Sequence, residues 1–364
     1  MRAAIVVPVK NEARGLRALA EALCVQARPE DRIVFVDAGS DDATPDILRA
    51  LAAADPRVTL IEAPGAMPGR GRNLAVALAA DAGIIAQIDG GNLPSPGWLE
   101  ALRRPLEEGR ADYVTGAVEV MPVPARIFGR DVDMGAIYGA SLFRGPVLRV
   151  GELDPEGLGR TSKAAAGGAG VAYMRRVWEA AGGFPEWPRF GADPLFVQKI
   201  SRSGGRFAFA PGARISWQLG PGLWRIVERH FRHQFSRFRA FAPWPVLVRR
   251  SLPASVLAAL TCAGLLQPWF FAVAGLAFLA EAARQSRKTL RALAARPVGA
   301  GDQARDTRLA ARFLVPGIEA LAFAARVAAT GRGLAYLALS PQKRRQARRV
   351  AAYLEGSGPC STAD

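Results

Sequence analysis

Two aspartates, Asp37 and Asp89, each close a short apolar run, and an arginine-rich segment, Gly69-Arg70-Gly71-Arg72, lies between them in the chain. Ile33-Val34-Phe35-Val36 leads into Asp37-Ala38-Gly39-Ser40, and Ile84-Ile85-Ala86-Gln87-Ile88 leads into Asp89-Gly90-Gly91-Asn92. Carboxylates just past the carboxyl ends of strands stand where α/β sheets bind ligands. Together with arginines and a helix N-terminus, they suit a nucleotide carrying a diphosphate. The carboxylates accept hydrogen bonds from base or ribose, the guanidinium groups and helix end take phosphate, and a carboxylate can also hold a divalent metal. Asp89 also has a plainer role open to it, as a turn or helix-capping carboxylate.

The elements that must place these groups follow from periodicity. Ile5-Val6-Val7 is a buried first strand, Pro8 to Glu12 its loop, and Ala13 to Gln26 a helix with Leu16, Leu19, Ala20 and Leu23 on one face. After the Asp37 loop a helix begins near Thr44-Pro45, where proline suits the first helical position. Val58 to Ile61 is a third strand. Gly65 to Arg72 is expected as a flexible basic loop opening onto a helix from Asn73 to Ala82, and an amphipathic helix runs from Trp98 to Leu106. Strand alternating with helix predicts an α/β fold with a mainly parallel sheet and helices on both faces. Residues 121–163 are poorly patterned and predict a lid or acceptor loop; Asp131, Asp133, Glu152 and Asp154 within it show no metal spacing.

Composition narrows the class. Half of the 364 residues are hydrophobic, enough for a packed core, and 48 Lys and Arg against 32 Asp and Glu leave a net charge of +16 that favours anionic partners. Cys24, Cys262 and Cys360 form no CxxC pair, which argues against a disulfide framework or zinc site and fits a reducing cytosol. Met1-Arg2 runs straight into a strand too short for a signal-peptide core, so the N-terminal domain is expected to stay in the cytosol. Neither Gly69-Arg70-Gly71 nor Gly167-Gly168-Ala169-Gly170 completes a dinucleotide fingerprint, and no Walker lysine pattern occurs.

The ordered set VVPVKNEARGL, IVFVDAGSDDATPDIL, GRGRNLAVALA and IDGGNLPSPGWLEAL resembles family 2 glycosyltransferases of the Rossmann-like GT-A fold. The likeness continues through Ala172 to Arg176, GGFPEW and GADPLFVQKI, and so covers roughly residues 1–245. It implies an inverting transfer of a sugar from a nucleoside-diphosphate sugar. It implies donor contacts from Pro8, Glu12, Asp37, Arg70, Arg72, Asn73 and Asp89. It implies a Mg²⁺ or Mn²⁺ ion at Asp89, with Asn92 as a further oxygen donor because Gly91 stands where the motif carries its second carboxylate. It also implies a general base at Asp193, with Ala192 in place of a Glu; Asp193 before Pro194 equally predicts a helix N-cap. Gln234-Phe235-Ser236-Arg237-Phe238 resembles an acceptor-binding motif, which assigns Gln234, Arg237 and Phe238 to the acceptor.

The C-terminal third predicts a membrane-associated α-helical region. Leu223 to Phe241 carries an apolar stripe flanked by arginines, either packed on the domain or lying on acidic lipid, and His230 and His233 within it are expected at an interface or on phosphate. Ser251 to Ala280 has no charged residue, is broken at Gln267-Pro268 and is bracketed by arginines, which favours a membrane hairpin over a single kinked span. Phe313 to Leu339 is interrupted by Glu319, Arg326 and Arg332 and predicts a bundled helix; Lys343 to Arg349 is polybasic. The expected layout is a GT-A domain at 1–222, a basic interfacial helix at 223–250, a membrane hairpin or span at 251–283, a basic amphipathic helical region at 284–355 and a disordered tail at 356–364. The expected function is sugar transfer to a lipid-linked or cell-envelope glycan acceptor, in polysaccharide biosynthesis, at the cytoplasmic membrane with the catalytic domain facing the cytoplasm. Anionic lipids are expected partners and nucleic acid is not. The alternative is a catalytically impaired relative that binds nucleotide or scaffolds a membrane complex.

Overall fold

A computed structural model describes residues 1–142, 158–159, 170–189, 191–217, 222–239, 244–295, 301–340 and 342–356. Glu152, Asp154, Cys360 and the predicted tail from 357 onward lie outside these residues, as do the side chains of Arg237, His233 and Cys262.

In chain order the elements are β1 (Ala3–Val9), α1 (Ala13–Gln26), β2 (Arg32–Asp37), α2 (Thr44–Ala54), β3 (Val58–Glu62), α3 (Pro68–Leu78), β4 (Ile84–Gln87), β5 (Asn92–Pro94), α4 (Trp98–Glu107) and β6 (Tyr113–Val120). Then come β7 (Pro124–Ile127), β8 (Arg130–Asp133), α5 (Met134–Leu142), β9 (Leu158–Gly159), β10 (Val171–Met174), α6 (Arg175–Ala180), α7 (Ala192–Arg202) and β11 (Phe207–Trp217). The chain ends in α8 (Leu223–Arg239), α9 (Trp244–Gly264), α10 (Trp269–Ala294), α11 (Gly301–Leu339) and α12 (Gln342–Glu355). By contacts it divides into two units, one of residues 1–119, 148–218 and 350–364, the other of residues 120–147 and 219–349.

The first unit holds a sheet ordered β3-β2-β1-β4-β10-β6-β11-β5, with β9 paired to β11. Strands β3, β2, β1 and β4 are parallel, and β10 enters antiparallel beside β4. Alternation along β1 explains the layering. Ala3, Ile5 and Val7 pack with Leu16, Leu19, Leu48, Trp98 and Leu102 from α1, α2 and α4. Ala4 and Val6 face the other way, onto Ala75 and Val76 of α3 and Phe196, Val197 and Ile200 of α7. The helices therefore cover both faces, as the alternating pattern predicts, and the carboxyl ends of β1, β2 and β4 present Val9, Asp37 and Asp89 along one edge.

Two boundaries differ from expectation. α3 begins at Pro68, which takes an early helical position, so Arg70 and Arg72 sit on a helix and not in a flexible loop. Residues 121–142 are a β7–β8 hairpin and helix α5, not an irregular lid; the Asp133 carboxylate organises the hairpin's exit by accepting from the Val123, Gly135 and Ala136 backbone N–H groups.

In the second unit, α5, α8, α10 and α11 surround a core of Ile137, Ile226, Leu293, Ala311, Val315 and Ile318. Ser251 to Ala280 forms the facing parts of α9 and α10, separated at Leu265–Pro268 where the sequence predicts the break. Among the described residues, the helix long and apolar enough to cross a membrane is Gly301–Tyr336 within α11, the region expected to be a bundled helix, and 44% of its most apolar window is buried. Glu319, fully buried on that helix, accepts from the Ser141 and Thr289 hydroxyls at 2.7 Å each. His230, expected at an interface or on phosphate, is buried between Ser141 and Arg326.

Candidate active site

The site is built around Arg72, which is only 3% exposed. One terminal guanidinium nitrogen donates to Asp89 Oδ1 at 2.9 Å and the other lies 3.2 Å from Asp193 Oδ1. The Phe184 ring lies 5.5 Å from the guanidinium carbon. A buried arginine is tolerated only where carboxylates return the lost hydration, and here two do so from opposite sides. One comes from the end of β4. The other comes from the first turn of α7, where the positive end of the helix dipole also favours a carboxylate.

Asp193 does not cap α7 as its position before Pro194 predicts. Gly191, at φ +93°, takes the cap position, and the Asp193 side chain turns to Arg72 and to Gln87, whose Nε2 donates to Oδ1 at 3.3 Å. Burial pushes the Asp193 carboxyl above the usual range; Arg72 opposes that shift, and the Asp89 charge adds to it. Part of the side chain, 22%, stays open to solvent. The result is a carboxylate more basic than an ordinary Asp that an incoming hydroxyl can reach. Gln87 was missed in the sequence, although a lone amide in an otherwise apolar strand is the kind of signal that marks such a contact. Tyr173 and Tyr113, stacked at 5.8 Å, wall the same region, and burial raises both phenols.

The neighbouring Asn73 does different work from its predicted donor contact. Its Nδ2 donates to Phe184 O and Glu186 Oε1 at 2.9 Å, and its Oδ1 accepts from Phe184 N at 2.8 Å and Trp178 Nε1 at 3.0 Å. Three of the amide's four hydrogen bonds go to the Gly182-to-Glu186 turn and the fourth to Trp178 of α6. Two glycines make the fit possible. A Cβ on Gly69 would lie 2.1 Å from Pro185 O, and one on Gly183, at φ +83°, would lie 2.8 Å from Asn73 Oδ1. The last turn of α12 braces the same turn: Tyr353 donates to Gly183 O at 2.8 Å, and Lys199 of α7 lies 4.4 Å over the Tyr353 ring. Nothing in the local sequence announced that contact.

On the donor side, Asp37 is buried and spends its carboxylate on its own loop, accepting from Gly39 N at 3.2 Å, Ser40 N at 3.0 Å and the Ser40 hydroxyl. Asp37, expected as a donor contact, shapes its own loop through these bonds. Asn11 and Thr44 latch that loop to the one after β1, through Asp41 N to Asn11 Oδ1 at 3.0 Å and Glu12 N to Thr44 Oγ1 at 2.9 Å. Pro8 lies within β1, in register with Val36 of β2, and Arg70 is exposed on α3. Glu12 leans over Gly90 and Gly91, and burial followed by the charges of Asp89 and Asp42 raises its carboxyl. Of the predicted acceptor residues, Gln234 and Phe238 are buried in the second unit, where Gln234 donates to Thr330 Oγ1 at 3.1 Å.

For a divalent ion, the donor chemistry is oxygen: Asp89, Glu12 and Asn92, whose Oδ1 is buried without a hydrogen-bond partner while its Nδ2 donates to Asp89 O. Among the described residues no group of three or more His, Cys, Asp or Glu is placed to hold a metal. That set fits a Mg²⁺-type ion, which takes one or two protein carboxylates and completes its shell with phosphate and water.

Residues 4–141 match the family model described as Glycosyl transferase family 2. The likeness to that family lies on the segment from β1 to α5. The chain is 34% identical over 119 residues to the succinoglycan biosynthesis protein ExoA of Rhizobium meliloti (strain 1021). That alignment covers 32% of this chain and 36% of the relative, so about a third of each. Among solved structures, it is similar to TarS 1-349 of S. aureus in complex with UDP-GlcNAc at 17% identity and TM-score 0.44, over 64% of this chain and 66% of the other. It is also similar to the mannosyltransferase PcManGT of Pyrobaculum calidifontis in complex with GDP-Man and Mn²⁺, at 18% identity and TM-score 0.45 over 97% and 84% of the two chains.

Proposed function

We propose that the chain transfers a sugar, with inversion, from a nucleoside-diphosphate sugar to a glycan acceptor, lipid-linked or part of the cell envelope, at the cytoplasmic face of the membrane. One observation carries this reading: a single buried guanidinium draws together the strand-end Asp89 and the helix-start Asp193, a donor-side carboxylate and a basic, accessible one. The family 2 match supports the reaction class, and the partial likeness to a protein of succinoglycan biosynthesis supports a polysaccharide product.

In the proposed reaction, the Asp193 carboxylate removes the proton of an acceptor hydroxyl as its oxygen attacks the anomeric carbon from the face opposite the diphosphate. The new C–O bond forms as the bond to the diphosphate oxygen breaks, which inverts the centre. Arg72 keeps Asp193 ionised in a partly desolvated place, and burial keeps it basic enough to accept the proton. Asn73 and the glycines of the Gly182–Glu186 turn hold α3 and α7 in fixed register, so the acceptor-side base and Asp89 keep their spacing. A divalent ion at Asp89 would neutralise charge on the leaving diphosphate. Membrane attachment rests on α11, on the apolar side chains exposed in α9 and α10, among them Leu252, Trp269, Leu276 and Leu279, and on the basic run Lys343 to Arg349.

Calorimetric titration with UDP, GDP and dTDP, each with and without Mn²⁺, tests the donor site. The expected result is metal-assisted binding of one diphosphate by the wild type, lost in Asp89→Ala. A folded protein that binds none of the three refutes the reading and leaves a scaffold role in its place.

A further inference from the structure

The Asp89-Gly90-Gly91 turn carries one carboxylate, yet a second one lies over it. A Cβ built on Gly91 would lie 3.5 and 3.6 Å from the two Glu12 carboxylate oxygens, and one built on Gly90 would lie 3.0 Å from Glu12 Cγ. The absence of side chains at both glycines is what lets Glu12 reach across from the start of α1. We infer that Glu12 supplies the second carboxylate of the cation and diphosphate site, acting with Asp89 in place of the side chain that Gly91 lacks; the inference rests on the donor-site reading above.

Three observations support this assignment. Glu12 occupies the N-cap of α1, but its side chain makes no capping hydrogen bond; the backbone is fixed instead by Thr44 Oγ1 and by Gly15 N donating to Glu12 O at 3.1 Å. Among the described residues the Glu12 carboxylate has no hydrogen-bond or ion-pair partner, although it is partly buried. Local capping and packing therefore give no account of why an acid stands there. Second, charge is unbalanced. Glu12 feels the negative charge of Asp89, while Arg72 is engaged by Asp89 and Asp193. Like charges held together without a counter-charge are destabilising, and a hard dication relieves that repulsion while using oxygen ligands. Third, Asn92, 5% exposed, is tied to the Asp89 backbone through Nδ2 and leaves its Oδ1 buried with no partner, so an oxygen donor without an assignment lies at the same turn.

The test measures metal binding directly, by electron paramagnetic resonance of Mn²⁺ titrated into the full-length protein with saturating UDP, GDP or dTDP, whichever binds. Calorimetry of the same diphosphate without metal runs in parallel. Glu12→Gln is expected to weaken Mn²⁺ by about tenfold or more, since it removes one of two anionic ligands, while metal-free nucleotide affinity stays within about twofold. Glu12→Gln combined with Gly91→Asp is expected to restore Mn²⁺ affinity, because a side chain at 91 begins within ordinary contact distance of the Glu12 oxygens. Unchanged Mn²⁺ affinity in Glu12→Gln, with loss in Asp89→Asn, overturns the inference and leaves the donor site standing. Equal weakening with and without Mn²⁺, not rescued by Gly91→Asp, also overturns it, by making Glu12 a nucleotide contact. Failure of the folded wild type to bind any diphosphate removes the donor reading and this inference with it.

Discussion

Replacing Arg72 with Met keeps most of the side-chain volume and removes the charge that joins Asp89 to Asp193. Breaking a buried ion pair by deleting one partner costs about 3–5 kcal/mol where the survivor stays fully buried. Here the survivors are partly wet, with Asp89 44% and Asp193 22% exposed, so water recovers part of that loss and about 2–3 kcal/mol is expected. A second effect follows from the same contact. Burial raises the Asp193 carboxyl and Arg72 is the first group opposing it, so removing the guanidinium raises it further. A base with a raised pKa is active only above it, hence the acid limb of the pH profile of kcat/KM should move to higher pH in Arg72→Met. Arg72→Lys should fall between, since one ammonium cannot meet two carboxylates on opposite sides with a planar fork. Urea unfolding and a pH–rate series on the three proteins read both quantities. An unchanged midpoint together with an unmoved or lowered acid limb would refute the account of Arg72 as the joint.

Asp193→Asn should cut transfer by about 10²–10⁴-fold, the usual range for losing a general base. An unchanged transfer rate in folded Asp193→Asn would exclude it as the base. Asn73→Ala should lose about 2–4 kcal/mol, read by chemical denaturation, because it strands the Phe184 N–H at the Gly182–Glu186 turn and the Trp178 indole N–H on α6. Asp55, whose carboxyl the Arg57 hydrogen bond holds down at about 2, adds stability that is complete above the ordinary aspartate range and disappears as pH falls toward about 2. Asp55→Asn should therefore flatten the acid side of a stability-versus-pH curve between about pH 4 and 2, and an unaltered curve would exclude this pair as a contributor.

Much of the frame was legible because it depends on local signals. Strands β1, β2 and β4 are short, apolar and buried almost throughout, so they read as continuous runs, and the residues that end them are fixed by the same boundaries. The start of α3 was misplaced because Gly69 and Gly71 lower helix propensity, whereas the structure needs them small for packing: Gly69 against Pro185, and Gly71 near Val36 and Pro8. The position of Asp37 in the motif says nothing about side-chain direction, so the turn that the Gly39 and Ser40 N–H groups close on its carboxylate was not legible. What sequence could not supply are long-range pairings. Gln87 with Asp193, and Tyr353 with Gly183, join residues whose separations along the chain carry no periodic trace.

The placement of Arg72 and Asn73 side by side on α3 gives the site its logic. One residue binds the two carboxylates and the next binds the turn that leads to one of them, so a single helical turn sets the position of Asp193 twice, by charge and by backbone. Burying a guanidinium is expensive, and a fold selected for stability alone would put an apolar side chain there. Its retention makes sense if the acids themselves are required, because two carboxylates this close need a cation between them. The same reasoning extends outward to Glu12, an acid lying against the same turn with no cation of its own. Arg72 satisfies the pair facing α7; under the proposed assignment, the pair facing α1 would take an ion brought in with the substrate.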